Sequence, residues 1–285
     1  MNFELVDKPD PVEIDPWSGL RKFTAARIAL GRTGDSQPTQ AVLEFGLAHA
    51  QARDAVHVPM NAAAVEAQLS EAGFPVLHAH SAASDRREYL VRPDHGRKLS
   101  PASRAALEAA KSELTSAPFD VVFVVADGLS AFAPSRHAVP LLQALHPRLE
   151  GWRLAPVVVA LQSRVALGDE IGEILGAEMV VMLIGERPGL SSPDSLGIYL
   201  TYRPRVGRND AERNCISNVR PGGLDFDTAA FKLHYLMENA RRLQLSGVDL
   251  KDDSDALLAE GESVQSLESK VQGPPPSPPT LDLGL

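Results

Sequence analysis

Apolar positions along the chain follow two different rhythms. Up to about residue 117 they recur at spacings of three and four, as they do when one face of a helix is covered. Leu20, Phe23, Ala26 and Leu30 put one such stripe on 19–32, opposite Arg21, Lys22 and Arg27. Leu43, Leu47 and Ala50 put a second on 40–56, and a third pattern over 61–72 stops at Gly73. Ser100 before Pro101 pairs a capping residue with a first-turn proline, which predicts a helix over 101–114. Between these, 88–91 is read as a short extended piece leading into the turn Arg92-Pro93-Asp94-His95-Gly96.

From Phe119 the rhythm becomes one of short, unbroken apolar runs. Segments 119–126, 156–161 and 179–184 are β-branched and continuous, as strands covered on both faces are. Helical patterns at 137–145 and 168–175 separate them, the second stopped by Gly176. That alternation predicts an α/β fold with a parallel sheet and right-handed crossovers. Added strands are expected at 197–202 and 215–219, and a closing amphipathic helix at 227–245. The chain thus divides into an extended, proline-marked arm (1–17), a mostly helical N-terminal domain (18–117), the sheet domain (118–250) and a tail (251–285). No repeat of fixed period is visible.

Composition narrows the function classes. With 285 residues, 44% hydrophobic and 23% charged, the chain suits one large globular domain or two modest ones. Its formal net charge of -9 argues against nucleic acid and against an anionic membrane surface as partners. Much of that charge sits in the tail, where seven acids face two lysines beside the Gly273-Pro-Pro-Pro-Ser-Pro-Pro279 run, a composition expected to be disordered. One cysteine, Cys215, excludes an internal disulfide framework and a multi-cysteine metal site, and fits a reducing compartment. No secretory signal is expected at the start, and no apolar run reaches the roughly 18–20 residues of a membrane span.

Open parallel sheets bind ligands beyond the carboxyl ends of their strands. Three loops qualify: Asp127-Gly128-Leu129-Ser130, Ser163-Arg164-Val165, and 185–193, which sets Glu186 and Arg187 directly at a strand end. Glycine and proline in the third also suit an ordinary tight connection. Ser130 half resembles a nucleophile elbow, but Phe132 replaces its second glycine, so a stand-alone α/β hydrolase is an alternative with a defective motif. His78 and His80 share a strand face without a third metal ligand, and suit solvated or satisfied histidines better. Dinucleotide and triphosphate cradles are missing. The arginines at 203, 205, 208, 213 and 220 suit carboxylates, a phosphate or a solvated loop equally well. Cys215 suits a small buried apolar residue better than a reactive thiol.

Several longer motifs carry a resemblance. Arg-Val-Ala-Leu-Gly-Asp-Glu-Ile-Gly-Glu-Ile-Leu-Gly-Ala (164–177), Leu-Ile-Gly-Glu-Arg-Pro-Gly-Leu (183–190), Ser192-Pro193-Asp194-Ser195-Leu196 and Asn-Cys-Ile-Ser-Asn (214–218) resemble the small, or light, subunit of ethanolamine ammonia-lyase. The likeness extends to 20–56, 89–99 and 127–130, and spans about 18–251 in order. It implies a Rossmann-like domain after a helical region, within a hetero-oligomer whose large subunit, a TIM barrel, performs adenosylcobalamin-dependent radical conversion of ethanolamine to acetaldehyde and ammonia. It implies that this chain closes over the cobalamin through Val165, Glu186 and Cys215 and supplies no catalytic residue or metal ligand. Asp-x-His-x-x-Gly, the motif with which another cobalamin class supplies a protein histidine to cobalt, is absent, so the cofactor is expected base-on. The compartment implied is intracellular, either cytoplasm or a bacterial microcompartment. A non-catalytic cofactor-binding module is the further alternative.

Overall fold

The computed structural model describes residues 12–114 and 117–259; the calls on 1–11 and on 260–285 lie outside the described residues. Helices α1 (Thr39–His57) and α2 (Ala62–Glu71) lead into strand β1 (Val76–His80). Then come α3 (Arg86–Val91), α4 (Pro101–Glu113) and β2 (Phe119–Ala126). The alternating core follows: α5 (Phe132–Leu145), β3 (Val157–Leu161), α6 (Leu167–Leu175) and β4 (Ala177–Gly185). Strands β5 (Leu196–Tyr202) and β6 (Arg213–Val219), then α7 (Phe226–Leu243) and α8 (Ser254–Ala259), complete it.

Among the described residues, six strands form one mixed sheet of order β1-β3-β2-β4-β5-β6. β1, β3, β2 and β4 run parallel, while β5 and β6 add antiparallel at the far side. The continuous apolar runs are explained by cover on both faces. Val121, Phe123 and Val125 point to the α5 and α7 side with Leu141, Leu142 and Leu233. Val122 and Val124 point to the α4 and α6 side with Leu107, Leu167 and Ile171. Alternate residues of one strand thus serve two cores.

Four expectations need correction. The stripe on 19–32 forms only a short 3-10 turn, Ser18–Phe23, with no buried residue. Beyond it Ala29 and Gly31 take positive φ (49 and 76), and Glu13 and Arg32 exchange backbone hydrogen bonds of 2.7 and 3.0 Å, so cross-chain pairing replaces the helix. The stripe on α1 does form a helix, but Leu43 and Leu47 stay exposed while Ala48 and Ala55 are buried, because the body meets the other side of the helix. Residues 88–91 are helical: the Asp85 carboxylate accepts the Glu88 N–H at 2.8 Å and caps α3. Ser254–Ala259 at the start of the tail is also helical, and Ser254 is fully buried. A smaller shift occurs in α5, which begins before Pro134 because first-turn N–H groups need no intrahelical partner.

Candidate functional site

The chain leaves β2 for α5 on one face of the sheet and leaves adjacent β3 for α6 on the other. Where two neighbouring strands exit in opposite directions a crevice opens at their carboxyl ends. Here it measures about 490 Å³, and its lining includes Gly128, Leu129, Arg164, Val165, Glu186 and Tyr199.

Its first wall is the turn after β2. Gly128 holds φ +56, and a Cβ there would stand 2.2 Å from the Gly185 carbonyl oxygen, so the turn after β2 and the end of β4 touch backbone to backbone. Leu129 N–H then donates to that same carbonyl at 2.9 Å.

The second wall is the loop after β3. Tyr89, buried on α3, donates its hydroxyl to the Ser163 carbonyl at 3.1 Å. Its ring lies between two guanidiniums, Arg164 at 4.2 Å and Arg86 at 4.7 Å from the ring centroid. Burial pushes the Tyr89 pKa up, so the hydroxyl stays a donor.

Glu186 forms the third wall. Its carboxylate accepts the Ser195 hydroxyl at 2.5 Å, the Ser217 hydroxyl at 2.6 Å and the Asn218 N–H at 3.1 Å. These bonds come from Ser195, just before β5, and from Ser217 and Asn218 within β6. Gly197 makes room for the side chain: a Cβ there would lie 3.0 Å from Glu186 Cγ. A carboxylate offers about four acceptor positions, so these three bonds leave one free on a residue that lines the crevice.

Val165 and Glu186 therefore meet on one crevice, although they stand 21 positions apart in sequence. Cys215 does not line it. It pairs across the sheet with Tyr199, which does, and Ser217, on the same face of β6, lines the crevice as well. Cys215 is exposed as a residue, yet burial of its thiol raises its pKa. Hydrogen bonding with Tyr199 works against that rise, and the Glu186 charge adds to it.

Ser130 is fully buried and donates to the Pro193 carbonyl at 2.7 Å, while His137 turns to Asp194 at 3.3 Å. The hydroxyl is thus spent on a backbone carbonyl, which removes the ground for the hydrolase alternative. His78 lies 3.3 Å from Glu66, and His80 Nδ1 lies 2.8 Å from the Ser81 carbonyl, so both are satisfied. Among the described residues no group of three or more His, Cys, Asp or Glu is placed to hold a metal ion, and no helix is long and apolar enough to cross a membrane. Arg213 and Arg208 are engaged within the chain, by Asp169 and Glu212.

Sequence reasoning missed Tyr89 and Tyr199, whereas Arg164 belongs to a loop it named. The spacing Asp85-x-x-Glu88 is a helix-start signal that could have placed Tyr89. Nothing local marks Tyr199, which is brought in by its strand partner.

A crevice at the carboxyl ends of diverging strands is where α/β sheets commonly hold a ligand, and this one offers an acceptor and apolar side chains. Comparison with known proteins is more specific. The family described as "Ethanolamine ammonia-lyase light chain (EutC)" matches residues 14–251. Ethanolamine ammonia-lyase small subunits from Pseudomonas fluorescens (strain Pf0-1) and Ralstonia nicotianae are 54% and 55% identical, over 95% and 91% of this chain and 100% and 97% of their own lengths. That from Azotobacter vinelandii is 56% identical over 88% of this chain and 93% of its own. The chain belongs to the ethanolamine ammonia-lyase light-chain family, and is a subunit of an ammonia-lyase.

Proposed function

We propose that this chain is the cofactor-covering subunit of an adenosylcobalamin-dependent enzyme that converts ethanolamine to acetaldehyde and ammonia, with the radical steps carried out on a barrel-type large subunit. The observation that carries the proposal is the convergence of Val165 and Glu186 on one strand-end crevice, with Cys215 beside it through Tyr199.

The donor set fits the group. A corrin offers a broad apolar face and a rim of amide arms. Val165 and Leu129 suit the face, and the free acceptor position of Glu186 suits an amide N–H. The crevice, about 490 Å³, is smaller than a cobalamin, so this chain can cover one side and a second chain must cover the rest. Exposed apolar side chains concentrated between Ile14 and Leu47, among them Trp17, Phe23 and Phe45, support association with a large partner. The cofactor supplies radical initiation when bound. Val165 and Leu129 would pack against it, and Glu186 would hold its rim and exclude water there.

The test uses the complex with the large subunit. Glu186→Ala is expected to weaken cobalamin binding by about 1–3 kcal/mol, the cost of leaving a buried amide without its acceptor. Acetaldehyde should form only when both chains are present. Unchanged cofactor affinity in an assembled Glu186→Ala complex, or turnover by this chain alone, would refute the proposal.

A further inference from the structure

We infer that Asp127, buried at the exit of β2, is the positioning residue of the crevice, holding the loop after β3 in the conformation that presents Val165. The inference rests on the cofactor-binding reading above and names a residue that acts on the crevice without lining it.

Asp127 is 2% exposed. One of its oxygens accepts the backbone N–H of Gly128 at 2.9 Å and of Ser163 at 3.0 Å, and the other accepts that of Gln162 at 2.9 Å. Arg86 Nη1 lies 3.6 Å from the second oxygen and also donates to the Gly128 carbonyl at 2.8 Å. One carboxylate therefore ties together the exits of the two strands that diverge.

What it ties is strained. Gln162 is a non-glycine residue at φ +53, a conformation that persists only where its surroundings over-determine it. Two of the three backbone bonds to Asp127 come from Gln162 and the residue after it. Downstream, the Ser163 carbonyl is held by Tyr89, and Arg164 N–H donates to the Gly96 carbonyl at 2.8 Å. Leu167 and Gly168 then donate to the carbonyls of Arg164 and Val165 and open the first turn of α6. Val165 thus sits between a clamped kink and a helix start, and the clamp that sets the kink is Asp127. Asparagine there keeps the size but has one acceptor oxygen, and it turns an N–H group toward a backbone N–H.

The experiment compares native protein, Asp127→Asn, Asp127→Asn/Gln162→Gly and Val165→Ala, each in complex with the large subunit. Hydroxocobalamin affinity is read by absorbance and backbone amide exchange by mass spectrometry. Asp127→Asn is expected to bind about tenfold more weakly, because it removes one accepting oxygen from a buried cluster of three backbone N–H donors. It should also exchange faster in peptides covering 162–165, with β2 and β4 unchanged. Glycine takes positive φ without steric strain, so the double variant should recover binding to within about threefold of native, and it serves also if Asp127→Asn alone fails to assemble. Native exchange at 162–165 in Asp127→Asn, or no recovery in the double variant, overturns the inference while the cofactor reading stands. Native affinity in Val165→Ala overturns that reading instead, and exchange at 162–165 then decides by itself whether Asp127 holds the loop.

Discussion

Glu186 and Cys215 sit on different segments yet share an electrostatic neighbourhood, with Tyr199 interacting with both. Burial raises the Tyr199 pKa, and the Cys215 and Glu186 charges add to it, so its hydroxyl remains a proton donor to its neighbours. For Cys215 the sign is the same: the thiol is raised, so less thiolate is present at any given pH than in a free cysteine. Alkylation of Cys215 in the isolated chain should therefore show a pH midpoint above that of a free thiol despite its exposure. Tyr199→Phe removes the interaction that lowers the pKa and should move the midpoint higher still. A midpoint at or below the free-thiol value, measured by iodoacetamide labelling across pH 7–10, would contradict this account. A cysteine of this kind contributes packing and a weak polar contact, in keeping with a covering role.

Elements are joined by buried charge as well as by apolar contact. Arg213 opens β6 and reaches Asp169 in the first turn of α6, with contacts of 2.5 and 2.7 Å and both side chains 2% exposed. Thr201 and the Arg208 carbonyl take further Arg213 donors at 3.0 Å. The pair fixes the antiparallel strand that carries Cys215 and Ser217 against the helix that follows Val165. Arg213→Ala leaves the Asp169 carboxylate buried without its partner and is expected to cost about 3–5 kcal/mol in urea denaturation. A loss under about 1 kcal/mol would show that water or another cation replaces the guanidinium. At this scale periodicity read strands well, because β2 and β4 are covered on both faces and their apolar runs are unmistakable. It read 19–32 and 88–91 wrongly: the first had no core to pack on in this chain, and the second was set by the Asp85 cap, a polar signal that an apolar count ignores.

For the whole molecule, the body extends further than composition suggested. Lys232 on α7 is 8% exposed, and its ammonium meets Asp255 at 2.6 Å, Ser254 at 3.2 Å and Asp252 at 3.4 Å. Truncation after residue 259 should leave the melting temperature nearly unchanged. Truncation after 251 strips a buried ammonium of its partners, a loss of about 1–3 kcal/mol, and should lower melting by several degrees. Equal melting of the two truncated forms would show that α8 does not hold Lys232.

The sequence by itself determined the fold class, the positions of β2 to β6 and the three loops at the strand ends, because apolar periodicity and turn residues act locally; β1 was decided by its pairing with β3. Its motifs also singled out Val165, Glu186 and Cys215. Only the tertiary structure decided that Val165 and Glu186 face one crevice while Cys215 pairs with Tyr199 beside it, and that Asp127 bonds the loop leading to Val165. Those relations depend on strand order and cross-strand register, which bring together residues that no spacing along the chain connects. Of the seven acids after Lys251, Asp252 and Asp255 belong to the folded body, because Lys232 lies buried against them.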